Sequence, residues 1–140
     1  MEKIFVYGSL RQDFWNHDKV FKNRIRSIEK GKIKGKLYHL PAGYPAVLKG
    51  QDEVYGEVIT ITQEKILKSV DFLEGYLGEG KENLYIREKC EALLEDGSKA
   101  NCWVYTYVNE REAKKEGLYI PHGDWKKFME SNKKTKKPLT

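Results

Sequence analysis

Residues 53–62 read EVYGEVITIT, and the segment after Thr62 reads QEKILKSVDFLEG. The first run is β-branched through its second half and suits a pleated surface. The second repeats Ile66, Leu67, Val70 and Leu73 at helical spacing. This is the one helix of any length that the pattern predicts, and it lies between two groups of strands. Ahead of it stand KIFVY (Lys3–Tyr7), GKIKGKLYHL (Gly31–Leu40) and AVLKG (Ala46–Gly50). Behind it stand LYIREKCEALL and KANCWVYTYV, joined across EDGS, a hairpin signal. Strands therefore outnumber helices without the strand–helix alternation of a doubly wound parallel sheet. The expectation is a small α+β domain with a curled or barrel-like sheet.

Local signals place the boundaries. In Gly31–Leu40 the alternation of Lys with Ile33, Gly35 and Leu37 fits an edge or one-sided strand. PAGYP (Pro41–Pro45) reads as a turn. Asn16–Arg24 reads as a short helix with Val20 and Phe21 inward, and Trp125–Glu130 as a final one. Thr62 reads as the N-cap of the long helix and Gly75 as its C′ stop. In the hairpin, Ile86, Cys90, Ala92 and Leu94 on one strand and Ala100, Cys102, Val104 and Val108 on the other are apolar or small. Bringing these sets onto one face needs an odd loop such as Glu95–Asp96–Gly97 with Gly97 left-handed, which puts Cys90 opposite Cys102. In a reducing compartment these are packed thiols.

Composition narrows the function classes. With 140 residues and 39% hydrophobic content, the chain suits one domain with a modest core, expected over residues 1–130. The formal charge is +5, but four lysines lie in residues 131–140, leaving +1 on the rest. That basic tail is expected to be disordered and solvated. No stripe of Arg and aromatics marks a nucleic-acid groove, so no nucleic-acid partner is expected. No apolar run approaches membrane-spanning length and the N-terminus lacks a signal-peptide pattern, so no membrane partner and a cytoplasmic location are expected. Two cysteines without metal spacing and the scattered His17, His39 and His122 give no basis for a metal site.

Two positions stand apart. Glu74 lies four residues after Val70 and seven after Leu67, on the apolar stripe of its helix, and in the last turn. Burial and the helix's C-terminal carbonyls both disfavour an ionised carboxylate there. A carboxyl group that takes and returns a proton near neutral pH suits such a position, and so does a side chain released to solvent where the helix frays at Gly75. The same test makes Asp71 and Glu79 ordinary exposed acids. Gly8 ends the first strand: it is either a turn, or a point of close approach to the backbone.

Several fragments together resemble the gamma-glutamylcyclotransferase-like family, in particular its gamma-glutamylamine cyclotransferase branch. They are VYGSL (Val6–Leu10), GYPAV (Gly43–Val47), VYGEV (Val54–Val58), DFLEGY (Asp71–Tyr76), YIR (Tyr85–Arg87) and WVYTY (Trp103–Tyr107), spread from Phe5 to about Trp125. The resemblance implies a small mixed closed β-barrel with flanking helices and a ligand cavity at one end. It also implies a substrate-lining turn at Tyr7, Gly8, Ser9 and Leu10, and Glu74 as catalytic acid/base. LGEGKEN, between Tyr76 and Leu84, lengthens the loop after the glutamate relative to the family.

The reaction so implied needs no cofactor. The α-amine of a small γ-glutamyl substrate attacks its own γ-carbonyl, forming 5-oxoproline and expelling the amine of a γ-glutamyl amine or γ-glutamyl amino acid. The amides of Gly8, Ser9 and Leu10 are candidates to hold a carboxylate or the developing oxyanion. Tyr85 and Arg87 share a strand face and either orient Glu74, meet the substrate or serve structure. Tyr44, Pro45 and Tyr105 are candidate pocket walls, and Trp125 a candidate lid. The leaving-amine rim is expected from Leu77–Asn83 and Tyr119–Trp125. The alternatives are a non-catalytic binder of a small acidic metabolite on the same fold, and a basic nucleic-acid-binding barrel. Oligomeric state is not legible.

Overall fold

The computed structural model describes residues 2–135, with side chains through Ser131. Along the chain run β1 (Lys3–Val6), α1 (Trp15–Phe21), β2 (Ile25–His39), β3 (Pro45–Ile61), α2 (Lys65–Leu73), β4 (Tyr85–Leu94), β5 (Lys99–Tyr107), α3 (Glu110–Glu116), β6 (Leu118–Tyr119) and α4 (Trp125–Thr135). The hydrogen-bonded order β3-β1-β5-β4-β2 is closed by a β2–β3 pairing, and β6 attaches to β2. The result is a closed five-stranded barrel. It is mixed, because β1 runs parallel to β5 and antiparallel to β3. Closure leaves β1–β5 without the open edge of a flat sheet.

Alternation along the strands builds two apolar layers. Phe5, Ile33, Val54, Val58, Ala92, Cys102 and Val104 belong to one buried cluster, together with Trp125. The intervening residues, among them Ile4, Val6, Ile59, Ile61, Tyr105 and Tyr107, form a second with α1 (Val20, Phe21) and α2 (Ile66, Leu67, Val70). A barrel that is apolar on both faces needs such helical cover, and the stripe of α2 supplies it.

The hairpin register is as expected. Cys90 pairs with Cys102, Gly97 has φ +88°, and the free thiols lie Sγ to Sγ at 3.4 Å. Several local expectations are corrected. Thr62 caps nothing: its hydroxyl donates to the Arg24 carbonyl (2.9 Å), and α2 starts after Glu64 without a side-chain cap. The two strands expected before α2 are one, β3, and β2 begins six residues before Gly31, because the pair runs on through shifts at Ile25/Ser27 and Lys34/Lys36. The last helix continues past Glu130 to Thr135. Expectations for residues 136–140 lie outside the described residues. Among the described residues no helix is long and apolar enough to cross a membrane.

Candidate active site

The turn after β1, the start of α1, the β2–β3 turn and the end of α2 meet around a cavity of about 240 Å³. Tyr7, Gly8, Ser9 and Leu10 line it with Tyr44 and Pro45, and Glu74, Tyr85 and Tyr105 border it as well. The volume suits a metabolite-sized ligand rather than a polymer.

Gly8 owes its identity to close packing. A Cβ there would lie 2.7 Å from Cγ of Pro45, so the first turn and the PAGYP turn can touch only through a residue without a side chain. The turn is fastened through its carbonyls. The Arg11 amide donates to Gly8 O (3.0 Å), the Asn16 amide to Ser9 O (3.2 Å), and the ring Nδ1 of His17 donates to Leu10 O (2.9 Å). Asn16 Nδ2 also donates to Ser9 Oγ (2.8 Å). None of these bonds engages the amides of Gly8, Ser9 or Leu10, which have no acceptor among the described residues.

Glu74 is the C-cap residue of α2. Its amide donates to Val70 O (2.9 Å), and Gly75 follows with φ +67°, the left-handed stop that a glycine adopts at little cost. The helix therefore ends in order at Glu74 instead of fraying. The side chain is half-buried and borders the cavity. Burial raises its pKa from 4.5 to about 7. No ion pair or hydrogen bond engages its carboxylate among the described residues.

Three tyrosines surround this carboxyl group, and each is held through its hydroxyl. Tyr7 donates to Tyr105 O, Tyr85 to Pro45 O and Tyr105 to Asp71 Oδ1, each at 2.5 Å. Burial, and then the charge of Glu74, push the Tyr7 hydroxyl well above its ordinary value of 10. The Tyr85 and Tyr105 hydroxyls are raised too, burial again first. All three stay neutral at physiological pH with their protons already committed. They shape the wall around Glu74.

Arg87 is not brought to the cavity. Its guanidinium pairs with Asp71 (Nε to Oδ1, 2.8 Å) and lies over the Trp103 ring at 4.4 Å. Asp71 is accordingly no ordinary exposed acid: it joins Arg87 to the Tyr105 hydroxyl. Trp125 is no lid. It is fully buried against Phe14, and its indole N–H donates to Nδ1 of His39 (3.1 Å). The rim likewise differs. Leu77–Asn83 folds on itself through Asn83, which accepts from the Leu77 amide (2.6 Å), and contributes nothing to the cavity wall. Trp15, Asn16, Ala42, Gly43, Leu73 and Leu84 line it instead. Trp15 was readable only as an aromatic ahead of an expected helix. Leu73 lay in view, one residue before Glu74.

Comparison with known proteins agrees with this architecture. The family described as gamma-glutamyl cyclotransferase, AIG2-like, matches residues 4–127. The chain is 35% identical over 130 residues to a Methanocaldococcus jannaschii protein whose name assigns it provisionally to the gamma-glutamylcyclotransferases, covering 91% of this chain and 98% of that one. It is 34% identical over 129 residues to the gamma-L-glutamyl-butirosin B gamma-glutamyl cyclotransferase of Niallia circulans, covering 91% and 78%. Its fold is similar to the crystal structure of YkqA from Bacillus subtilis (TM-score 0.71, 24% identity, 95% of this chain), of whose length the chain spans 42%. An AIG2-like protein from Mus musculus shares the fold as well (TM-score 0.65, 23% identity, 89% of this chain and 87% of that one).

Proposed function

The chain belongs to the gamma-glutamyl cyclotransferase, AIG2-like family, and from that premise we propose that it converts a γ-glutamyl amine or γ-glutamyl amino acid to 5-oxoproline and the free amine, with Glu74 as acid and base. One observation carries the reading. Glu74 is the sole carboxylate bordering the cavity among the described residues, and its pKa is raised to about 7. A group with that proton affinity is ionised often enough to accept a proton and acidic enough to return it.

The steps follow from the residues. The carboxylate and γ-carbonyl of the glutamyl group sit against the free amides of Gly8, Ser9 and Leu10, which donate to the carboxylate or to the oxyanion as the carbonyl is attacked. The walls of Tyr44, Pro45, Tyr85 and Tyr105 fold the substrate so that its α-nitrogen meets its own γ-carbon. The new C–N bond closes a five-membered ring, and the bond to the departing nitrogen breaks. In becoming a lactam N–H the α-ammonium gives up two protons, and the departing amine takes up two on leaving as an ammonium. Glu74 passes one across and water exchanges the other. No cofactor, protein nucleophile, nucleic acid or membrane enters this scheme, which suits a cytoplasmic enzyme.

The test is to incubate the purified chain with γ-glutamyl amides and γ-glutamyl dipeptides and measure 5-oxoproline. Product with the wild type and its loss in Glu74→Gln support the reading. Tight binding of these compounds without product would replace it by a binding role, and full activity of Glu74→Gln would overturn the assigned chemistry.

A further inference from the structure

The cavity's wall and its mouth differ in kind, and the difference bears on the group that leaves. Tyr7, Leu10, Pro45, Tyr85 and Tyr105 are buried, whereas Trp15 is 62%, Leu84 42% and Leu73 37% exposed. Ala42 and Gly43 are exposed lining residues too but carry little or no side chain, so an amine extending outward from a glutamyl end held against the inner wall meets chiefly these three apolar side chains. The charges are as one-sided as the apolarity. Among the described residues no Lys, Arg or His borders the cavity, and Glu74 is an anion whenever it acts as a base. The free amides of the Gly8–Leu10 turn are the donors on hand for the carboxylate of the glutamyl group itself. A second carboxylate, as every γ-glutamyl amino acid carries, would find no cation and would approach Glu74.

We propose that the mouth formed by Trp15, Leu73 and Leu84 selects γ-glutamyl derivatives of apolar amines that carry no carboxylate of their own. This rests on the cyclotransferase reading and narrows its substrate class. Trp15 supplies the largest apolar face, and its exposure means that it can be truncated without opening the core.

Three probes separate the contributions: γ-glutamyl-phenethylamide, γ-glutamyl-phenylalanine, which adds only a carboxylate, and γ-glutamyl-methylamide, which lacks the aryl arm. The expected result is a kcat/KM for the phenethylamide about 10-fold or more above each of the other two. Trp15→Ala, with its melting curve checked against wild type, should reduce the phenethylamide-to-methylamide ratio about 10-fold. Equal or better turnover of γ-glutamyl-phenylalanine overturns the selectivity while leaving the cyclotransferase reading intact. An unchanged ratio in Trp15→Ala overturns the role of the mouth. Failure of all three probes to yield 5-oxoproline overturns both.

Discussion

Asp71 and Glu74 sit three residues apart at the end of one helix, and their surroundings are opposite. Asp71 is fully engaged, by the Arg87 guanidinium and by the Tyr105 hydroxyl. Glu74 has burial and, among the described residues, no partner, and its proton affinity rises through that burial. Both groups are carboxylic acids of similar acidity in water, so the contrast comes from placement. The partnered acid acts as a fixed strut for a cavity wall, while the unpartnered one is free to change its charge. Desolvation without a partner destabilises a carboxylate and brings its proton exchange toward neutral pH.

Substitutions can break each half of that contrast. The largest effect is expected from Glu74→Gln, which keeps the shape and removes the proton: kcat for 5-oxoproline release should fall about 10²- to 10⁴-fold. The same variant should be more stable than wild type in alkaline solution. Glu74 has a folded pKa of about 7 against 4.5, so between those values the native chain holds a proton that the unfolded chain has released. Wild-type stability therefore falls as pH rises from 4.5 to about 7 and is level above it. Urea unfolding should show Glu74→Gln gaining up to about 3 kcal/mol at pH 8 and little at pH 4.

Asp71→Asn attacks the other half. It leaves the Arg87 guanidinium short of its counter-charge and should cost about 1–3 kcal/mol in urea unfolding at neutral pH. Activity should drop only about 10-fold, through a displaced Tyr105 wall. A loss from Asp71→Asn as deep as that from Glu74→Gln would erase the distinction between strut and proposed catalyst. The smallest effect is expected at Gly8→Ala, where the new methyl meets Pro45. A stability loss of about 1–2 kcal/mol should come with a raised KM, since the two turns that flank the cavity must part.

The parts legible in the sequence were those governed by neighbours along the chain. The β4–β5 register followed from period-two alternation and a three-residue loop ending in a left-handed glycine, and Cys90 met Cys102 as that geometry requires. Glu74 stood out because a carboxylate on an apolar helical stripe conflicts with its surroundings whatever the fold. Hidden from sequence were features decided by distant chain. Thr62 had a cap's position, yet its hydroxyl went to Arg24, which reaches it through the β2–β3 pairing. Asp71 looked ordinary because Arg87 and Tyr105 lie 16 and 34 residues away. The mouth was misplaced for the same reason: Trp15, far from Glu74 along the chain, joins it at the cavity only in the folded barrel, and Leu84 returns to the helix end through its amide bond to Gly75 O (3.1 Å). Trp125 looked like a lid because a tryptophan near a chain end carries no mark of which side of a barrel it will fill.

The account rests most heavily on the ionisation of Glu74, which can be observed without any substrate. Carbon-13 NMR of the glutamate side-chain carboxyls, with the Glu74 resonance assigned by its absence in Glu74→Gln, gives its titration midpoint. A midpoint near 7 is expected from its burial. A midpoint near 4.5, the value of a freely hydrated glutamate, would contradict the claim that this carboxyl is held ready to exchange a proton at neutral pH.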